Sequence, residues 1–107
     1  MSAWIYLAIA IGFEVLGTAF LKVSNGFENF TWGSAALVAY GISFWFFAPA
    51  LKTIPVGIAY AVWSGIGIAA IVGIGVLFFD QRLQLLQYGF ISLILIGAVG
   101  LQLTSPE

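Results

Sequence analysis

The chain has 107 residues, of which 63% are hydrophobic and only 7% charged. A soluble domain carries about a quarter charged residues, and a chain this short cannot hide so much apolar surface in a core of its own, so the solvent is lipid. A net charge of −1 with no basic run excludes nucleic acid as a partner. The absence of His and Cys removes disulfides, thiolate and imidazole chemistry and the usual zinc ligands, so no metal or cofactor is expected.

The first apolar run, residues 3–21, is broken by a single carboxylate, Glu14. As a helix rising about 1.5 Å per residue it is long enough to cross a bilayer's hydrocarbon core. An ionised side chain near its middle costs roughly 2.5–3.5 kcal/mol even on the mildest insertion scale. On the same helical face lie Ala10, Gly17 and Thr18, small residues that leave room for a ligand or let another helix approach. An intramembrane acid in such a slot marks an ion or substrate pathway, the structural alternative being a glutamate hydrogen-bonded to another helix. The N-terminus lacks a basic region and its run is too long for a cleavable signal, so the first span is expected to stay in the mature protein.

Charges and turn residues punctuate the rest of the chain. A polar stretch with Lys22, Ser24, Asn25, Gly26, Glu28 and Asn29 precedes a second run at 32–51, where Pro49 should kink or fray the last turn. Lys52, Thr53 and Pro55 break the chain before a third run at 56–79. Asp80, Gln81 and Arg82 separate it from a fourth at 83–103, and a short tail ends at Glu107. The predicted fold is all-α and integral to the membrane: one domain over residues 1–107, four transmembrane helices and short loops. Trp4, Tyr6, Trp32 and Tyr88 lie near span ends, as interfacial anchors do.

Four spans put the N-terminus, the Lys52 loop and the C-terminus on one side and Lys22 with Arg82 on the other. That is almost no orientation bias under the positive-inside rule. Such a chain can insert both ways, and two opposed copies would make a dimer with a two-fold axis in the membrane plane. The same balance also allows a heterodimer with a paralogue inserted the other way.

In the third run Gly57, Ala61, Gly65, Ala69 and Gly73 form a small-residue stripe for helix packing, and Gly65-Ile66-Gly67 a flexible or kinked point. Tyr60, Trp63, Ser64 and Gly67 share another face. The second run offers Tyr40, Ser43, Phe44 and Phe47 at matching spacing. Were these faces to converge on Glu14, a carboxylate walled by Tyr40, Tyr60 and Trp63 would suit a lipophilic cation. The segment Gly65-Ile66-Gly67-Ile68-Ala69-Ala70 mimics a dinucleotide fingerprint, but no strand precedes it and no sheet can form around it. Glu28, Asp80 and Glu107 fall in loops or the tail, so no acid pairs with Glu14 within one chain for catalysis, and no enzyme is read.

The chain resembles the small multidrug resistance transporters over essentially its whole length. The resemblance is carried by Glu14-Val15-Leu16-Gly17-Thr18, by Lys22-Val23-Ser24-Asn25-Gly26-Phe27, by Ser43-Phe44-Trp45, by the run from Ile54 to Gly67, and by Phe78-Phe79-Asp80-Gln81-Arg82-Leu83. Leu-Gly-Thr after Glu14, Tyr40, and Ser64 rather than Thr after Trp63 resemble its quaternary-ammonium branch; the guanidinium-exporting branch usually has Trp-Ala at positions 17–18 and Thr at position 64. The resemblance implies an antiparallel, dual-topology homodimer in the inner membrane that exchanges protons for hydrophobic cations. Both Glu14 side chains would then form a shared site, with Trp63, Tyr60 and Tyr40 as its aromatic wall and Ser43 and Ser64 as hydroxyl partners. It also implies that the fourth helix dimerises through a glycine motif, which Gly97 fits and Gly89 misses by one residue. Export of a small polar cation such as guanidinium or a polyamine, and a non-transporting membrane subunit, are the alternative readings.

Overall fold

In hydrocarbon every backbone N–H and C=O must be satisfied within the chain, and a single apolar segment can do this only as a helix. The computed structural model describes residues 2–105 and has four helices: α1 (Ala3–Val23), α2 (Phe30–Ala50), α3 (Val56–Phe78) and α4 (Leu85–Thr104). Their 20 to 23 residues make each long and apolar enough to cross a membrane. Glu107 of the tail lies outside the described residues, as does Pro106.

The helix ends follow local chemistry. The Ser2 hydroxyl accepts from the Trp4 N–H at 3.1 Å and Asn29 Oδ1 from the Trp32 N–H at 3.2 Å, so each side chain takes up an orphan donor. That Asn29 cap starts α2 two residues before the apolar run itself begins. Pro55 opens α3 with a fixed φ of −55° and no N–H to satisfy. Lys22 is not in a loop but in the last turn of α1, where its charge complements the helix dipole. Pro49 stands in the last turn of α2, which ends one residue later.

Between α1 and α2 three consecutive residues, Asn25, Gly26 and Phe27, have φ between 53° and 69°. This left-handed run is held by the buried Ser24, whose Oγ donates to the Leu21 carbonyl at 2.6 Å and accepts from the Phe27 N–H at 3.1 Å. At the far end of α3 the Gly75 carbonyl accepts from both the Phe79 and the Gln81 N–H, and Asp80 turns the chain at φ 55°.

Small residues decide the packing. α1 and α2 approach most closely, with Ala10 and Ala36 fully buried and Gly17 beneath the Tyr40 ring, where a Cβ would meet two ring carbons at 3.0 Å. Phe13 stacks on Phe46, and Ser43 Oγ donates to the Ala10 carbonyl at 2.7 Å. α3 lies on α1 through Leu7, Ile11, Val15, Ala59 and Val62. α4 rests on α3, where Gly65 faces Ala98; a Cβ there would come within 2.5 Å of the Ala98 methyl. Of the small-residue stripe on α3 only Gly65 makes this contact, while Gly57 and Gly73 face open space. α3 also runs through Gly65-Ile66-Gly67 as one continuous helix, with Gly65 used for close approach of α4.

Asp80 occupies a conformation that costs a residue with a Cβ more than glycine. Asp80→Gly is therefore expected to stabilise the fold by up to about 1 kcal/mol, read as a shift of the denaturation midpoint in mild detergent.

Candidate functional site

Glu14 is half-buried on α1, and its carboxylate opens into a cavity of about 270 Å³ between α1 and α3. One turn on, Thr18 Oγ1 stands 3.1 Å from both Glu14 Oε1 and the Glu14 carbonyl. The same hydroxyl lies 2.8 Å from Tyr40 Oη on α2. Glu14, Thr18 and Tyr40 thus form one hydrogen-bonded chain across the α1–α2 seam. Gly17 makes the chain geometrically feasible: without a side chain of its own it lets the Tyr40 ring lie flat across α1.

The opposite wall comes from α3. Tyr60, Trp63, Ser64 and Gly67 recur at helical spacing and all line the cavity. Gly67 lies beside the carboxylate, where a Cβ would be 3.5 Å from Glu14 Oε2. Trp63 is fixed by edge contacts from α2, with Phe47 at 4.4 Å and Phe44 at 6.0 Å between ring centroids, and Tyr60 lies 6.1 Å away on its own helix. Tyr60 is 62% exposed, so the wall is open on that side.

Not every residue singled out in the sequence reaches the cavity. Ser43 and Ala10 are buried against each other in the α1–α2 contact, and Gly17 lies under Tyr40, so all three support the site from behind. Tyr40 touches it only through Thr18. Gly65 belongs to the α3–α4 contact, and Gly57 and Gly97 face open space. Conversely, Ile68 and Ile71 line the cavity. They stand one turn beyond Ser64 and Gly67, and continuing that face by four residues would have found them.

A second cavity of about 410 Å³ adjoins the first, sharing Thr18 and Ile71 and ending at Lys22, Phe79 and Gln81. A third, of about 310 Å³, lies among α1, α3 and α4 between Trp4, Leu7, Val62 and Gln102, and no charged side chain lines it. Among the described residues no cluster of three metal-ligating side chains occurs. The first cavity offers one carboxylate, ring faces and hydroxyls, a set that can hold a single proton or a single cation.

A family model described as Small Multidrug Resistance protein matches residues 2–96. A putative ethidium bromide resistance protein of Escherichia coli is 43% identical over 107 residues, covering 100% of this chain and 91% of the relative. The quaternary ammonium compound-resistance protein QacE of the same organism is 43% identical over 105 residues, 98% of this chain and 96% of its own. QacC of Staphylococcus aureus is 36% identical over 100 residues, 94% of each chain. With four membrane-spanning helices, a lone acid facing an aromatic wall, and a family match over most of its length, the chain belongs to the small multidrug resistance proteins.

Proposed function

We propose that the protein is a proton-coupled antiporter of the inner membrane that exports hydrophobic cations, quaternary ammonium and aromatic cations among them. The observation that carries this reading is the position of Glu14, the one acid lining a cavity otherwise walled by Tyr60, Trp63, hydroxyls and aliphatic side chains. A lipophilic cation gains charge pairing from the carboxylate and attraction to ring faces, while its apolar substituents need few directed hydrogen bonds. The names of the relatives, which concern ethidium bromide and quaternary ammonium compounds, point the same way.

Coupling follows from competition for one charge. A protonated Glu14 is neutral and holds a cation poorly; an ionised Glu14 holds it well and releases it when a proton arrives. Within one chain the neutral hydroxyls of Thr18, Ser64 and Tyr60 supply no second anion, so proton and cation compete for the Glu14 carboxylates. Access then has to alternate between the two membrane faces, with the occupied site as the condition for switching.

The assembly that suits this cycle is an antiparallel homodimer in which two Glu14 side chains share one site. Three features support it: the near-equal basic charge at the two membrane faces, the open side of the cavity at Tyr60, and an α4 that presents all its side chains except Ala98 outward or half-exposed. Opposed copies make the two access states mirror images, so one set of contacts serves both. A paralogue of opposite orientation in place of the second copy would complete the same site.

Tetraphenylphosphonium binding to purified protein in mild detergent tests the assignment. Affinity is expected to rise with pH, by at most tenfold per unit for each Glu14 proton displaced. Glu14→Gln, which keeps shape and removes charge, is expected to weaken it at least tenfold and abolish the pH dependence. Undiminished, pH-dependent binding in that variant, or a preference for guanidinium over tetraphenylphosphonium in the wild type, would overturn the reading. Ser43→Ala is expected to lower stability by about 0.6 kcal/mol, the average for an interhelical hydrogen bond in a membrane protein. Because Ser43 faces Ala10 and not the cavity, the same variant should leave tetraphenylphosphonium affinity unchanged.

A further inference from the structure

The cavity among α1, α3 and α4 shares no lining residue with the one at Glu14. It exists because α4 packs on α3 but barely touches α1, and the small side chain of Ala8 widens the gap that remains. The resulting groove, of about 310 Å³, opens outward at the exposed Ala8 and Val99. Its inner wall is aliphatic: Leu7, Ile11, Val62 and Ile66. From Trp4 to Ile11 it runs about 10 Å along α1, and Ile66 lies about 15 Å along α3 from Val56. The hydrocarbon of one leaflet is about 15 Å thick, so the groove reaches from one membrane face to the bilayer centre. Its two polar side chains, Trp4 and Gln102, stand together at the outer end, because the start of α1 and the end of α4 share a membrane face. Among the described residues neither the Trp4 indole N–H nor the Gln102 side-chain amide makes a hydrogen bond.

We propose that this groove binds one glycerophospholipid, with an acyl chain lying along it and the ester region at Trp4 and Gln102. An empty groove would leave its aliphatic lining without dispersion partners on one side. Water is a poor occupant, since below Trp4 and Gln102 it meets no polar side chain. A methylene chain matches the lining and enters sideways without leaving the bilayer. At the outer end, ester carbonyls and phosphate oxygens accept hydrogen bonds, which is what an indole N–H and an amide NH₂ can donate. No charged side chain lines the groove, so the chain and its ester hold the lipid rather than the charge of its headgroup. Seated there, the lipid fills the wedge between α1 and α4 that the protein leaves open. It gives α4 a second surface to rest on beside the Gly65–Ala98 contact.

The test is photolabelling of the protein in phosphatidylcholine vesicles containing a trace of phosphatidylcholine with a carbene-generating diazirine near the end of one acyl chain. Labelled positions are read by mass spectrometry of peptides. Ile11 and Ile66 are expected to be labelled more strongly than Leu37 on α2 and Leu93 on α4, exposed side chains near the middle of their helices, although Ile11 is only 6% exposed. Contact with bulk lipid follows exposure and would label Leu37 and Leu93 first. Ala8→Trp, and independently Val99→Trp, fill the groove and should abolish labelling at Ile11 and Ile66 while leaving Leu37 unchanged. Neither residue lines the Glu14 cavity, so helix content and tetraphenylphosphonium binding in the same samples report that the variants fold. Labelling that follows exposure in the wild type, or that persists at Ile11 and Ile66 in either folded variant, overturns the proposal. So does a wild type in which Ile11 and Ile66 stay unlabelled, the result if a second copy of the chain covers the groove.

Discussion

A carboxylate inside the hydrocarbon layer is the constraint on which the rest of this molecule depends. Water cannot solvate it there, so donors must come from the protein itself. Thr18 supplies the nearest one from the next turn of the same helix, and Tyr40 extends the chain of hydroxyls to α2. This arrangement explains why small residues surround Glu14. Gly17 admits the Tyr40 ring, and Gly67 of α3 lies beside the carboxylate, so two neighbouring helices approach the acid without sealing it in.

The helices divide the remaining work. α1 and α2 form a close pair with buried alanines, stacked rings and the Ser43–Ala10 hydrogen bond, a rigid half against which the site is built. Interhelical contacts in lipid gain little from the hydrophobic effect and depend on close van der Waals packing, which small residues permit. α3 supplies the aromatic wall and is held to α1 by aliphatic side chains. Trp63 is gripped from α2 by Phe44 and Phe47, so its ring orientation is set by a helix other than its own. α4 contributes no residue to the Glu14 cavity and touches the others mainly through the Gly65–Ala98 contact. Ala98 is the one buried side chain of this helix.

The cavity at Glu14 continues past Thr18 and Ile71 to a second one that ends at Lys22. The α3 terminus frames that end, since the turn at Asp80 and the anchoring of Gln81 at Gly75 keep the mouth lined by neutral groups.

Sequence alone determined the solvent, the number of helices and the one acid that interrupts an apolar run. Long apolar runs have one backbone solution in lipid, and a charge interrupting such a run is conspicuous. It also determined the α3 face, because Tyr60, Trp63, Ser64 and Gly67 follow the helical repeat and all line the cavity. Helix ends were less legible: the Asn29 cap extends α2 backward, and Lys22 belongs to α1 although its charge reads as loop. Tertiary structure decided which polar residues reach the cavity and which serve packing. Periodicity places Ser43 on the same face as Tyr40 and Phe47, but the rotation of α2 against α1 turns its hydroxyl onto the Ala10 carbonyl and leaves Tyr40 to reach Glu14 through Thr18. Likewise, of the three glycines in the small-residue stripe on α3 only Gly65 packs closely, against Ala98 and Ile94 of α4, while Gly57 and Gly73 face open space. Spacing along one helix defines a face; only the neighbouring helix decides what that face meets.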